Sequence, residues 1–458
     1  MKRFYSFLVL LNYFNLQSSP QVGFNNNGYI NSTGSLYPYN YRSIAIDKNN
    51  KIIVVGQTDR SMPYGGLIAR YNQDGTLDAT FNPYSINGGP GYINQETAMY
   101  SAIYYSAVID NQGRIIVAGE AQTPIPDQLT TIQKQLLARY LPTGVLDQTF
   151  GNSAQTPGYT NENGGVFYGC ALDAQGKIIL VGQGSLGTGV VVRYSQDGIF
   201  ENTTFSQNGF NSFQYNSVVI DNQGRIIAVG KTPFDPNRNM VTDGLIVRFN
   251  SNGTLDTNFN NTGFIDTGNG TNSGEYFSVV IDKQNKIILA GTTQPDPDNS
   301  HNKYGLIVRL NDNGSLDTTF NQTGFINTEN GIKANDYYSV AIDNQNKIIA
   351  AGRTYGSQSD NYAQYGLIVR FNHNGTLDTT FNGTGFINTN NVSESFTYYG
   401  LAIDNQHKII AAGYTRNSKG LIARFLVNGS FDSSSNWNSS NFREIAQINN
   451  IALGMLSK

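Results

Sequence analysis

A chain of 458 residues carries 30 Lys and Arg against 33 Asp and Glu, a net charge of −3 that leaves no basic stripe for a nucleic-acid backbone. Charged residues make up only 14% of it, and 49 Gly with many Asn, Ser and Thr take their place, which suits a turn-rich all-β surface. The single cysteine, Cys170, excludes an intramolecular disulfide and reads as a small apolar filler.

Residues 1–19 have the polarity of a signal peptide. Lys2 and Arg3 form a positive start, Phe4–Leu16 is an apolar stretch interrupted by Asn12 and Asn15, and Ser18 and Ser19 border a cleavage point. The expected destination is outside the cytosol, secreted or in the periplasm or cell envelope. The other reading is an ordinary buried N-terminal segment. No other stretch approaches the ~20 apolar residues of a spanning helix, and there is no polybasic membrane patch.

From residue 20 to residue 435 the chain repeats one unit seven times, seen most cleanly at Tyr337–Phe371. Ser339–Ile342, Lys347–Ala351 and Leu367–Phe371 are short Val- and Ile-rich runs bounded by turn residues, and they predict strands. An anchor aspartate ends the first run of each repeat, at Asp47, Asp110, Asp173, Asp221, Asp282, Asp343 and Asp404. Three residues later stands Asn50, Gly113, Gly176, Gly224, Asn285, Asn346 or His407, residue types that tolerate a left-handed backbone. This predicts a tight hairpin capped by the aspartate side chain. Four residues after the aspartate there is always a Lys or Arg. Nine after it there is always a glycine: Gly56, Gly119, Gly182, Gly230, Gly291, Gly352 and Gly413. These glycines are expected to belong to the hairpin construction. A second tight turn, Asn-Gly or Asp-Gly in most repeats, leads into a T-L-D-T-T-F segment expected to be the outer strand.

A small sheet apolar on both faces cannot stand alone, and stacking seven around an axis buries those faces. The expected fold is all-β, a seven-bladed β-propeller of four-stranded antiparallel blades. Phe24–Ile30, FNNNGYI, matches Phe381–Ile387, FNGTGFI, which ends a repeat, whereas the seventh repeat stops near Asp432 without such an ending. An N-terminal strand is therefore expected to complete blade seven and close the ring. In its pieces VAIDNQNKIIAAG, GLIVRF and NGTLDTTFNGTGFI the chain resembles the delta-60 repeat β-propellers of bacterial secreted proteins. That resemblance implies a scaffold without a shared catalytic motif.

Successive anchor aspartates are 61 to 63 residues apart except between Asp173 and Asp221, where the spacing is 48, so blade three has short loops. The variable loops emerge on one face and the tight turns on the other, and in repeat proteins the variable face often binds. An aromatic stands six residues before each anchor aspartate: Tyr41, Tyr104, Phe167, Tyr215, Tyr276, Tyr337 and Tyr398. Seven such rings either pack between blades or form a stacking platform at the channel mouth. The candidate ligand-binding set is Tyr104, Tyr337 and Tyr398 with their more exposed neighbours Tyr105, Tyr338 and Tyr399. Arg70, Arg139, Arg193, Arg248, Arg309, Arg370 and Arg424 on the third strand are expected to pair with Asp78, Asp147, Glu201, Asp256, Asp317, Asp378 and Asp432 as exposed blade locks.

Three scattered histidines and one cysteine argue against a zinc site. No cofactor is expected. A structural calcium at Asp296, Asp298 and Asn299 is the remaining possibility, although spaced carboxylates are missing. Residues 436–458 leave the repeat as a tail, with Trp437 and then a short amphipathic helix expected over Asn441–Leu456. The functional expectation is an exported, monomeric, non-enzymatic scaffold binding a protein or glycan on the variable face. A hydrolase or lyase acting on a carbohydrate or lactone, or a structural envelope component, are the alternatives.

Overall fold

The computed structural model describes residues 29–31, 39–58, 65–84, 88–95, 101–124, 131–151, 158–201, 205, 214–233, 242–267, 274–293, 303–328, 334–355, 363–389, 396–415 and 419–432. The segment 1–19, the tail 436–458, the loop holding Asp296, Asp298 and Asn299, and most of the variable loops lie outside these residues. The described chain forms seven antiparallel sheets in meander order, one per blade. Blade six comprises Ala334–Ile342, Ile348–Tyr355, Gln364–Phe371 and Phe386–Asn388, numbered here from the inner strand outward. Blade one carries an additional strand, Gly88–Gly89, beyond its outer one.

Apolar residues run unbroken through the second and third strands because both faces of a blade are covered. In blade six, Ile348 and Ala350 pack into a core shared with Ile288, Ile307 and Phe320 of blade five. Ile349 and Ala351 point the other way and join Tyr398, Leu401 and Ile409 of blade seven. The hydrophobic core is thus a set of layers between blades, and no blade owns one.

The anchor aspartates build the first turns. Asp47 Oδ1 accepts hydrogen bonds from the N–H groups of Asn49 and Lys51 at 2.9 and 2.8 Å, and the other repeats copy this pair. The residue three after the aspartate has φ between 60° at Asn285 and 77° at Gly113 in all seven turns.

The recurrent glycines have a different job from the expected one. Gly352 lies in the second strand, opposite a point where the inner strand slips register between Tyr337 and Ser339. A Cβ there would sit 1.9 Å from the Asp336 carbonyl oxygen. The same slip, with a glycine opposite, occurs in every blade. Each glycine therefore makes room for a β-bulge in the innermost strand.

The T-L-D-T-T-F segment is a capped turn and not the outer strand. Leu377 makes only an isolated bridge to Phe371, and Asp378 Oδ1 receives the N–H and hydroxyl of Thr380 at 3.2 and 2.6 Å. The outer strand follows it, as Phe386–Asn388. In short blade three the corresponding segment does pair, and Phe200–Glu201 within it is the outer strand, as expected.

The arginine locks are mostly buried, and they reach beyond their own blade. Arg370 Nε stands 2.7 Å from Asp378 Oδ2, its guanidinium carbon lies 4.6 Å from the Phe381 ring centroid, and its Nη1 donates to the Val427 carbonyl of blade seven. Equivalent arginines donate to Pro142, Gln196, Ser251, Asp312 and His373 of the next blade. Arg424 of blade seven donates to the Gln73 carbonyl of blade one. The base that follows the anchor aspartate joins the same carboxylate in several blades, as Lys347 does at 2.6 Å from Asp378. Burial and the extra bonds move these pairs out of the ~0–1 kcal/mol class of exposed ion pairs: removing one partner of a buried pair costs about 3–5 kcal/mol.

Blade seven consists of Phe396–Ile403, Ile409–Thr415, Gly420–Phe425 and, as its outer strand, Tyr29–Asn31. Tyr29, Ile30 and Asn31 pair with Ala423, Ile422 and Leu421. The N-terminal strand closes the ring, and Arg424 ties the same seam on the tight-turn face.

Candidate functional site

The seven inner strands converge on a central channel. The aromatic preceding each bulge turns away from it. Tyr104, Tyr337 and Tyr398 are 0%, 0% and 1% exposed and fill the space between blades. A Cβ on Gly66 of blade one would meet the Tyr104 ring of blade two at 2.7 Å, so small residues on the third strand admit these rings. Tyr104, Tyr337 and Tyr398 therefore present no face to a ligand, and the packing reading describes them.

One residue further on, the bulged positions do line the channel: Arg42, Tyr105, Tyr168, Asn216, Phe277, Tyr338 and Tyr399, each half-buried. A bulged residue is unpaired in its ladder and its side chain is re-aimed, which turns these seven toward the axis. Just below them comes a ring of small residues, Ser43, Ser106, Gly169, Ser217, Ser278, Ser339 and Gly400. At the two glycines even a Cβ would crowd a neighbour: on Gly400 it would meet Ile44 Cγ2 at 2.9 Å. Some of the serines also bond across blades, Ser278 Oγ accepting from the Val340 N–H at 3.2 Å. Cys170 lies here too, buried, its Sγ 3.3 Å from Ser106 Oγ, and burial pushes its thiol up to about 12. It stays protonated and unreactive.

The belt encloses a cavity of about 260 Å³, at the small end of ligand pockets. Its rings touch one another. Tyr338 and Tyr399 stack with centroids 4.7 Å apart, Tyr399 stacks on Tyr414 at 5.1 Å, and Tyr105 meets Tyr168 edge-on at 5.2 Å. Nearer the variable face stand charged and amide groups. Arg353 Nε is 2.7 Å from Asp336 Oδ2, which also accepts from the Tyr338 hydroxyl at 3.2 Å. Lys231 Nζ is 3.1 Å from Glu275, which accepts from Asn216 Nδ2 at 2.8 Å. Glu120 accepts from the Tyr105 hydroxyl at 3.4 Å and from Gln133 Nε2.

Burial raises the Glu120 carboxyl above the ordinary range, although hydrogen bonds from Gln133 and Tyr105 and the charge of Arg42 oppose it. Burial also raises the phenols of Tyr105, Tyr168, Tyr338 and Tyr399, with help from the Glu120, Asp336 and Tyr414 side chains. The belt tyrosines are neutral hydrogen-bond donors with apolar faces. Among the described residues no three His, Cys, Asp or Glu side chains gather as a metal-holding group.

The candidate residues Tyr105, Tyr338 and Tyr399 are thus brought together with Tyr168, Phe277, Asn216 and Arg42, which sequence reasoning missed. The signal lay in the strand glycine, read as part of a hairpin when an interior strand glycine also marks a bulge.

Five segments, 48–81, 224–259, 285–320, 346–381 and 408–434, match the family described as Domain of unknown function (DUF5122) beta-propeller. The chain is a β-propeller repeat protein. No curated protein matches it. Solved structures similar to this propeller include a protein of unknown function from Bacteroides caccae, at 12% identity and a TM-score of 0.39 over 68% of this chain and 87% of that one. They also include an ulvan lyase of a new polysaccharide lyase family, at 14% identity and a TM-score of 0.45 over 89% and 96% of the two chains. A gluconolactonase from Xanthomonas campestris is 12% identical, with a TM-score of 0.34 over 70% and 98%. At these values the likeness carries no argument about chemistry.

Proposed function

We propose that this propeller is an exported, non-enzymatic binding protein that takes a glycan at the mouth of its central channel, on the variable-loop face. The observation that carries the reading is the belt of bulged residues, in which neutral aromatic rings line a cavity together with Arg42 and Asn216, while the carboxylates of Asp336, Glu275 and Glu120 hold the Tyr338, Asn216 and Tyr105 side chains. Aromatic faces suit the C–H faces of a sugar, and fixed polar groups suit its hydroxyls. A cavity of about 260 Å³ admits a sugar ring more readily than a folded segment of a protein. The acids at the mouth are each held by defined partners, Asp336 by Arg353, Glu275 by Lys231 and Glu120 by Gln133, an arrangement that supports binding over proton transfer. Export rests on the polarity of residues 1–19.

The test is a glycan array followed by calorimetric titration of the best-retained glycan. Tyr338→Ala and Tyr399→Ala are each expected to weaken binding roughly threefold to tenfold, about 0.5–1.5 kcal/mol per lost ring contact. Unchanged affinity in both variants would remove the belt from the binding site.

A carbohydrate hydrolase or lyase at the same mouth is the second reading. It is favoured by one observation, the raised Glu120 carboxyl beside the Tyr105 hydroxyl. Time-dependent cleavage of a bound glycan, lost in Glu120→Gln, would replace the binding reading with this one.

A further inference from the structure

Arg42 differs from the other cations of the channel mouth. It is the one charged residue of the bulge belt. Its guanidinium carbon lies 5.7 Å from the ring centroid of Tyr105 and 5.5 Å from those of Tyr399 and Tyr414. Its Nε is buried, and among the described residues it has no hydrogen-bond acceptor and no carboxylate within ion-pair distance. By contrast, Arg353 holds Asp336 at 2.7 Å and Lys231 holds Glu275 at 3.1 Å. Glu120 is close enough for the charge of Arg42 to act on it, yet its oxygens are taken by Tyr105 and Gln133.

A guanidinium presents five N–H donors in one plane. Ring faces offset part of its charge, but they do not accept the in-plane hydrogens, and a buried donor without an acceptor is costly. The group that satisfies such a fork best is a planar anion taken by two parallel bonds. We infer that Arg42 is the anion-recognising group of this mouth, and that the glycan seated on the belt is acidic, a sugar whose carboxylate meets the Arg42 N–H groups while its ring lies against the neighbouring tyrosines. This rests on the glycan-binding reading and narrows it to uronate-type ligands.

The experiment titrates the purified protein with a galacturonate tetramer and with the same tetramer fully methyl-esterified. The acidic tetramer is expected to bind roughly tenfold or more tighter, the range of a hydrogen-bonded charge. Arg42→Gln should bind the two alike, Arg42→Lys should keep part of the preference, and Tyr338→Ala should weaken both by a similar factor. Raising NaCl to 0.5 M should shrink the wild-type preference. If Arg42→Gln fails to fold, Arg42→Lys and the salt titration carry the test. Equal affinities in the wild type, or a preference that survives Arg42→Gln, overturn the inference and leave glycan binding standing. Failure of both tetramers to bind overturns it as well. Failure of every neutral and acidic glycan on an array overturns the binding reading beneath it.

Discussion

At the scale of single residues, the chain separates positions by what surrounds them. Gly352 faces the Asp336 carbonyl across the bulge, with 1.9 Å available to a methyl carbon. Gly383 has positive φ in an outer turn with nothing within 4 Å of a new Cβ. Gly352→Ala is expected to cost about 3 kcal/mol or more, because backbone must move. Gly383→Ala is expected to cost only about 1–2 kcal/mol, the left-handed penalty alone. Urea melts of the two variants check the ordering, and an equal shift would mean that Gly352 does not set the bulge. This glycine was visible in the sequence as a spacing. Its purpose was not, because a residue nine positions after a turn aspartate has no evident partner until the inner strand slips by one.

At the scale of elements, the repeat register made the three inner strands of each blade legible, since apolar runs between turn residues recur seven times. The outer strand was legible in blade three, at Phe200–Glu201, and differs from the expected segment in the other six. The T-L-D-T-T-F segment alternates as a strand does, but Asp378 captures the N–H and hydroxyl of Thr380, and a capped turn results. Arg42 was illegible for another reason: four of the seven repeats hold a tyrosine at the bulge, and only convergence on the axis gives the exception a meaning. Ring closure was legible, because FNNNGYI at the start supplies the ending that the last repeat lacks. Deleting residues 22–31 removes the strand paired with Leu421–Ala423. The melting temperature should fall by roughly 2–5 °C, the shift that a few kcal/mol produces in a chain of this size. An unchanged melt would show that the Arg424 tie and the blade contacts suffice.

At the scale of the whole molecule, the locks add up to a pH response. Burial raises the Asp317 and Asp378 carboxyls, but hydrogen bonds from Thr319, Lys286, Lys347 and Thr380, with the charges of Arg309 and Arg370, outweigh it and bring both to about 2. Asp78, Asp147 and Glu201 are also lowered. A depressed carboxyl stabilises the fold fully above its unfolded value near 3.8, and that contribution is lost as pH falls toward about 2. The raised Glu120 acts with the opposite sign, contributing most while protonated and losing that as pH rises through its folded value. Five groups against one should leave the melting temperature nearly flat at neutral pH and falling steeply between about pH 4 and 2. Asp378→Asn should melt lower at pH 7 and show a shallower acid slope. A wild-type melt that does not fall below about pH 4 would contradict the locks.

The bulge also divides labour in a way that matters beyond this one ligand. The residues that hold the ring together are paired, capped or packed between blades, and altering any of them disturbs a neighbour. The seven belt residues are unpaired in their ladders, because that is what a bulged position is. Their identities can change one at a time while strand pairing stays as it is. The channel is in effect a seven-position address written on a backbone whose strand pairing does not depend on it, and here it spells Arg, Tyr, Tyr, Asn, Phe, Tyr, Tyr.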